Sequence, residues 1–253
     1  MNFFDLGLSK ETVNAIEDLG INEPTTVQAD VIPAVLRGDD VFAIAPRGCG
    51  KTASYILPLI DIITQKQENQ NILIITPTNQ QSIMISDRFS IFNKYHEILD
   101  KENEANVIIA TPDLLMDMVE SDGLDLTQIN ILVVDDINFI KINKKLSVLK
   151  KILEILPEEK QNIVYTNRKS KDTDSILAKI LKAPVEVKVD KKKELEAVNI
   201  ALQEVENKVK QSKKNNKTFY PDQKAYELAG KNNSFRGRTP SFIFNKGVLA
   251  SEN

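Results

Sequence analysis

The sequence predicts an α/β domain built on a mostly parallel sheet flanked by helices. Two observations carry this expectation. Short β-branched runs recur through residues 41–189, and the longer segments between them place apolar residues three or four positions apart. Near-continuous apolar runs mark strands covered on both faces, as in a parallel sheet. Strand and helix therefore alternate, the pattern of a layered α/β domain.

The elements follow in chain order. Ser9–Asp18 and Thr26–Leu36 each open with a capping residue and are predicted as two helices ahead of the sheet. Strands are predicted at Val41–Ala45, Asn71–Thr76, Asn106–Ala110, Ile131–Val134, Asn162–Thr166 and Val185–Val189. Helices are predicted between them at Lys51–Gln65, Gln80–Tyr95, Asp113–Val119, Phe139–Leu156 and Asp172–Leu181. The domain is expected over residues 1–190, followed by a charged helix at 191–212. Residues 213–253, rich in Asn, Lys, Ser and Gly, are expected to form a basic, mostly disordered tail. No internal repeat is present.

Composition narrows the function classes. Hydrophobic residues make up 42% of the 253, enough for a sizeable core, and the formal charge of −3 gives no global attraction to nucleic acid. The charge is unevenly spread: residues 207–253 carry a net +7 and residues 1–206 a net −10. Cys49 is the single cysteine and His96 the single histidine, so neither an internal disulfide nor a Cys/His zinc site can form. A reducing, cytoplasmic setting is expected. The start has no basic n-region followed by an apolar stretch, and no run reaches the ~20 apolar residues of a membrane span. A soluble, unprocessed protein without membrane attachment is expected.

The chemistry concentrates in two motifs. Ala45-Pro46-Arg47-Gly48-Cys49-Gly50-Lys51-Thr52 follows the first strand and opens a helix, the order of a phosphate-binding loop with Ala in place of the first Gly. Gly48 and Gly50 allow backbone N–H groups to turn inward around phosphate oxygens. In such a loop Lys51 reaches the β- and γ-phosphates and the Thr52 hydroxyl ligates Mg²⁺. Arg47 either touches phosphate or faces solvent. Ile131–Val134 then ends in Asp135-Asp136, which puts Asp135 at the carboxyl end of a buried strand as a metal-site carboxylate. A P-loop ATPase needs such a carboxylate for the metal and a group to orient the attacking water.

With these motifs placed, the chain resembles the first RecA-like domain of the DEAD-box RNA helicases from Phe3 to about Val189. Phe3-x-x-Leu6-Gly-Leu8, Leu19-Gly-Ile-Asn-Glu-Pro24-Thr25-Thr-Val-Gln28, Ile32-Pro33 and Gly38-Asp-Asp40 are similar to that family's Q motif. Thr76-Pro77-Thr78, Ala110-Thr111-Pro112, Asp135-Asp136-Ile-Asn138 and Tyr165-Thr166-Asn167 are similar to its motifs Ia, Ib, the DEAD tetrad and motif III, in family order. The resemblance implies that Gln28 reads adenine, that Thr25 supports its loop and that Phe3 packs by the base. An amide can pair with both N6 and N7 of adenine. It also implies ATP and Mg²⁺ as cofactors, Lys51, Asp135 and Asp136 as the catalytic set, and RNA contacts at Pro77, Thr78, Thr111 and Pro112.

The departures are as informative. The tetrad's catalytic Glu is Asp136, one methylene shorter, and its last Asp is Asn138. Tyr165 and Asn167 replace the Ser and Ala of motif III. Asn79 stands for a basic residue in motif Ia, and Asp113-Leu114 for the Gly-Arg of motif Ib. Ile83–Glu104 is short and has no double glycine, so a strand and an RNA-contacting loop look trimmed. Only 64 residues follow Val189, too few for the family's second RecA-like domain, which supplies arginine fingers.

These features imply a helicase-like protein that binds ATP–Mg²⁺ and RNA or ribonucleoprotein, with weak or absent hydrolysis and no unwinding of its own. A protein partner could supply the missing domain. The alternative is a non-catalytic adaptor docking a protein or ribonucleoprotein. In the tail, Lys208–Lys217 precedes Phe219, Tyr220, Tyr226, Phe235-Arg-Gly-Arg238 and Phe242-Ile-Phe244, a mixture suited either to RNA or to a solubilising or docking role. Cys49 in the phosphate loop is read either as an oxidation switch or as a tolerated small residue.

Overall fold

The computed structural model describes residues 1–65, 70–96, 106–121, 123–189 and 243–244. Six parallel strands form the sheet: β1 (Val41–Ile44), β2 (Asn71–Ile75), β3 (Asn106–Ala110), β4 (Ile131–Val134), β5 (Gln161–Thr166) and β6 (Val185–Lys188). Their order is β6-β1-β5-β4-β2-β3.

Alternation along each strand divides the core. Ile72, Ile74, Ile131 and Val133 face one apolar cluster, while Leu73, Ile75, Leu132 and Val134 face the other. The first cluster is covered by α1 (Lys10–Glu17), α2 (Thr26–Arg37), α3 (Lys51–Gln65) and α4 (Asn79–Phe92). The second lies under α5 (Pro112–Glu120), α6 (Ile137–Ile142), α7 (Leu146–Ile155) and α8 (Lys171–Ile180). Both faces being dry explains why the strands read as unbroken apolar runs.

The helices ahead of the sheet are fixed by polar contacts as well as packing. Ser9 caps α1, accepting from the Thr12 N–H at 3.2 Å. The Ser9 N–H and hydroxyl donate to Asp61 of α3 at 2.6 and 2.7 Å, and the Thr12 hydroxyl also bonds Asp61. Asp61 is fully buried, so these three donors compensate the desolvation of its carboxylate. The clamp joins α1 to α3, which itself begins at the phosphate loop.

One expectation needs correction. The single helix expected at Phe139–Leu156 is two, because Asn143 ends α6 and Lys144 adopts a left-handed φ of 60°. That conformation is incompatible with continuing the helix, and the chain turns before α7. Of residues 213–253, expected as a mostly disordered tail, the structure describes β7 (Ile243–Phe244), antiparallel to β3 with Val107 opposite Phe244 and Ile108 opposite Ile243. β7 lies beside β3 at one end of the strand order. The charged helix expected at 191–212 and the rest of the tail lie outside the described residues. No described helix is long and apolar enough to cross a membrane.

Candidate nucleotide-binding site

Parallel strands bring the loops after β1, β2, β3, β4 and β5 to one carboxyl edge. The ladder continues past the strand ends there: Ala45 N–H donates to Thr166 O, Thr76 N–H to Ala110 O and Asp135 N–H to Ile75 O, each at 2.9 Å. The candidate residues are thereby placed in a row.

The phosphate loop runs from Ala45 to Thr52, which lies in the first turn of α3. Gly48 and Gly50 have φ of 84° and 91°, the left-handed turns that the motif predicts. The Lys51 ammonium donates to Ala45 O at 3.0 Å and bridges the loop. The α2 N-terminus braces it from behind. Thr25 and Gln28 form a capping box, with the Thr25 N–H donating to Gln28 Oε1 at 2.9 Å. The Thr25 hydroxyl donates to Cys49 O at 2.8 Å and Gln28 Nε2 to Gly50 O at 3.3 Å. A Cβ on Gly50 would lie 2.6 Å from Gln28 Nε2 and 2.8 Å from Thr25 Oγ1. Only glycine permits both the turn and the close approach.

Gln28 is 6% exposed, and these bonds use one amide N–H and one lone pair of Oε1, leaving one donor and one acceptor for an adenine edge. Phe3, expected by the base, is instead buried with Leu6 and Leu8 in the first apolar cluster. It offers no open face for stacking and belongs to the same apolar cluster as Ala45 and Cys49 of the loop. Cys49 is buried, its Sγ donating to Pro46 O at 3.0 Å. Burial denies oxidants access, which favours the tolerated-small-residue reading.

Asp135 and Asp136 end β4, both buried. Burial pushes the Asp135 carboxyl up to about 6, with the neighbouring Asp136 charge adding to the rise and the Lys51 ammonium opposing it. Mg²⁺ generally takes one or two carboxylates, phosphate oxygens and water. Asp135 with the Thr52 hydroxyl fits that half-site. Among the described residues no group of three or more His, Cys, Asp or Glu could hold a metal ion. Asp136 has φ 61° and caps α6, its carboxylate accepting from the Phe139 N–H at 3.2 Å. The acid expected to orient water thus already holds a helix end.

Two substituted positions meet. The Asn138 Nδ2 donates to Asn167 Oδ1 at 2.9 Å, linking the α6 start to the loop after β5. Asn138 is 1% exposed and its Oδ1 has no partner among the described residues. Tyr165 fills space beneath the loop, its ring 5.4 Å from that of Tyr55 and its hydroxyl 2.7 Å from Ser54 Oγ. Their contact has no local sequence signal, because side-chain partners distant in sequence leave no periodic pattern.

The candidate RNA residues are differently disposed. Pro77 and Pro112 are buried, and Thr78 and Thr111 precede α4 and α5 as caps. Pro77 O accepts from Asn143 Nδ2 at 2.9 Å, and Asp113 pairs with Lys145. The prolines shape turns rather than present contact surface.

The DEAD/DEAH box helicase family model matches residues 25–168, more than half of the chain. The chain belongs to that family. Among curated relatives it is 30% identical over 205 residues to the ATP-dependent RNA helicase DDX47 of Drosophila melanogaster, covering 74% of this chain and 40% of that protein. It is 28% identical over 208 residues to the ATP-dependent rRNA helicase RRP3 of Coccidioides immitis, covering 76% and 44%. The chain spans less than half the length of these curated relatives. A solved DEAD box protein from the hyperthermophile Methanococcus jannaschii superposes with a TM-score of 0.68 at 24% identity, over 75% of this chain and 56% of that one. The DEAD-box RecA-like fold expected from the sequence is the fold observed.

Proposed function

We propose that this DEAD-box chain binds an adenine nucleotide with Mg²⁺, hydrolyses ATP slowly or not at all, and does not separate strands unaided. The observation that carries the binding is the seating of Thr25 and Gln28 on the carbonyls of Cys49 and Gly50. It couples the adenine-reading position to the phosphate loop, so base and phosphates are engaged by one rigid unit. Gly48 to Thr52 hold the phosphates, Asp135 and Thr52 the metal. Slow hydrolysis is supported by Asp136, whose short side chain is spent on capping α6. A small misplacement of a water-orienting group costs orders of magnitude in rate.

RNA or ribonucleoprotein is the second ligand in this reading, since the relatives named above are RNA helicases. The Lys145–Asp113 pair favours a second reading, an adaptor that docks a protein or ribonucleoprotein, because it neutralises a cation at the loop expected to hold RNA.

Titration of the purified chain with fluorescent ATP and ADP in Mg²⁺, with Lys51→Ala and Gln28→Ala as controls, tests the site. Micromolar binding lost in both variants is expected. Turnover with and without single-stranded RNA then separates the readings. An increase of roughly tenfold in Asp136→Glu marks a detuned ATPase, and no change in that variant favours the adaptor.

A further inference from the structure

Given the nucleotide site proposed above, we propose that Arg47 is its specificity-determining residue for a triphosphate over a diphosphate, held in place by Phe139. Arg47 is the third residue of the phosphate loop and is exposed. Its guanidinium lies 4.7 Å from the centroid of the Phe139 ring. No carboxylate is paired with it among the described residues, although the chain has more acids than bases.

The stacking geometry matters chemically. A guanidinium held over an aromatic face gains from the ring without a carboxylate taking up its N–H donors. Those donors form the fork that matches a phosphoryl group. Position matters equally. Phe139 stands in the first turn of α6, and its N–H is held by the Asp136 carboxylate. Arg47 is therefore held on the side of the loop that faces Asp135 and Asp136, where the metal and the attacked phosphorus belong. Lys51 meanwhile bridges back to Ala45 O. A phosphate chain laid along the N–H groups of Gly48 to Thr52 brings its last phosphoryl group to that side. Arg47 donates to it, and a diphosphate has nothing there to receive the donation.

Phe139 is a positioning residue. Without the ring the guanidinium loses its fixed approach and more of the contact's energy goes into ordering a long side chain.

The test is equilibrium titration of the full chain with a non-hydrolysable ATP analogue and with ADP, both in Mg²⁺. Arg47→Ala is expected to weaken the analogue about tenfold, the usual scale of one charge-assisted contact, while ADP stays within about twofold. Phe139→Leu keeps the α6 packing and is expected to weaken the analogue alone, by a smaller factor. Equal weakening of both nucleotides in Arg47→Ala, or no weakening of either, overturns the assignment. Wild-type protein that binds neither nucleotide, and behaves like Lys51→Ala, overturns the site itself and Arg47's role with it. A melting temperature for each variant separates loss of fold from loss of contact.

Discussion

The loops after β1 and β4 and the loops after β2 and β3 occupy one sheet edge, yet they spend their polar groups in opposite ways. Behind the phosphate loop, Thr25 and Gln28 take the carbonyls of Cys49 and Gly50, which leaves the loop's N–H groups for an anion. Along the β2 and β3 loops the groups satisfy one another. Thr78 bonds Gln81, Asn143 bonds the Pro77 carbonyl and Lys145 is paired with Asp113. One half of the edge leaves N–H groups for a charged ligand, and in the other these groups are engaged with one another. The two halves of one edge thus differ in how many of their polar groups remain for a ligand.

Gly50→Ala should break the first half most severely. The residue would need a positive φ that costs roughly 1–2 kcal/mol for an L-residue, and its Cβ would fall within 2.6 Å of Gln28 Nε2. Either Gln28 leaves the loop or the loop leaves α2. Nucleotide binding should be lost altogether in titration, whereas Asn79→Ala on the other half leaves it within about twofold. Near-normal binding by Gly50→Ala would show that the brace is dispensable.

Acidity sharpens the comparison, because Asp135 lies in the first half alone. Its carboxyl sits at about 6 in the fold against 3.8 when unfolded, so folding takes up a proton between these values. Without nucleotide, its contribution should stabilise the protein as pH falls from 6 towards 4. Metal binding needs the carboxylate, so the melting shift given by Mg²⁺ and nucleotide should shrink over the same range. His96 works against the first trend: burial holds its pKa below the ordinary value, so its protonation destabilises the fold as pH falls below about 6.5. The wild-type minus Asp135→Asn difference in melting temperature isolates Asp135. A difference that stays flat across this range removes the buried-charge account.

On the other half, Asp113→Asn should release Lys145 as a phosphate contact. Single-stranded RNA affinity should rise a few-fold at low salt, and the salt slope should steepen by about one contact. Nucleotide binding should not move. Unchanged RNA affinity would mean that this loop does not reach RNA even when its cation is free.

The sheet and phosphate loop were legible because they rest on local signals: apolar runs covered on both faces, glycines at forced left-handed turns, and an acid pair closing a strand. The break at Lys144 was not, since a left-handed lysine carries no sequence mark. Pairing of Ile243–Phe244 with β3 was hidden because residues far apart in sequence share no periodicity. The burial of Phe3 was hidden for a related reason: a motif names the residue, while its burial is decided by Leu6, Leu8 and the apolar cluster that closes around it. Side-chain pairs across the site, Arg47 with Phe139 and Asn138 with Asn167, emerge only when β1, β4 and β5 are aligned.

That last pair gives the finest test of the comparison. Asn138 and Asn167 differ from the family pattern at both ends of one hydrogen bond, and an alanine at position 167 could not make it, so the bond comes with the substituted pair. A double-mutant cycle with Asn138→Ala and Asn167→Ala should show coupling of about 1 kcal/mol in urea unfolding, the net value of a neutral bond. Asn138→Ala alone should cost less than a typical buried loss. It removes an oxygen that already has no partner, while the exposed Asn167 left behind can turn to water. Additive single effects would mean that the two asparagines are neighbours without being partners, and the loop after β5 would then join the disengaged half of the edge.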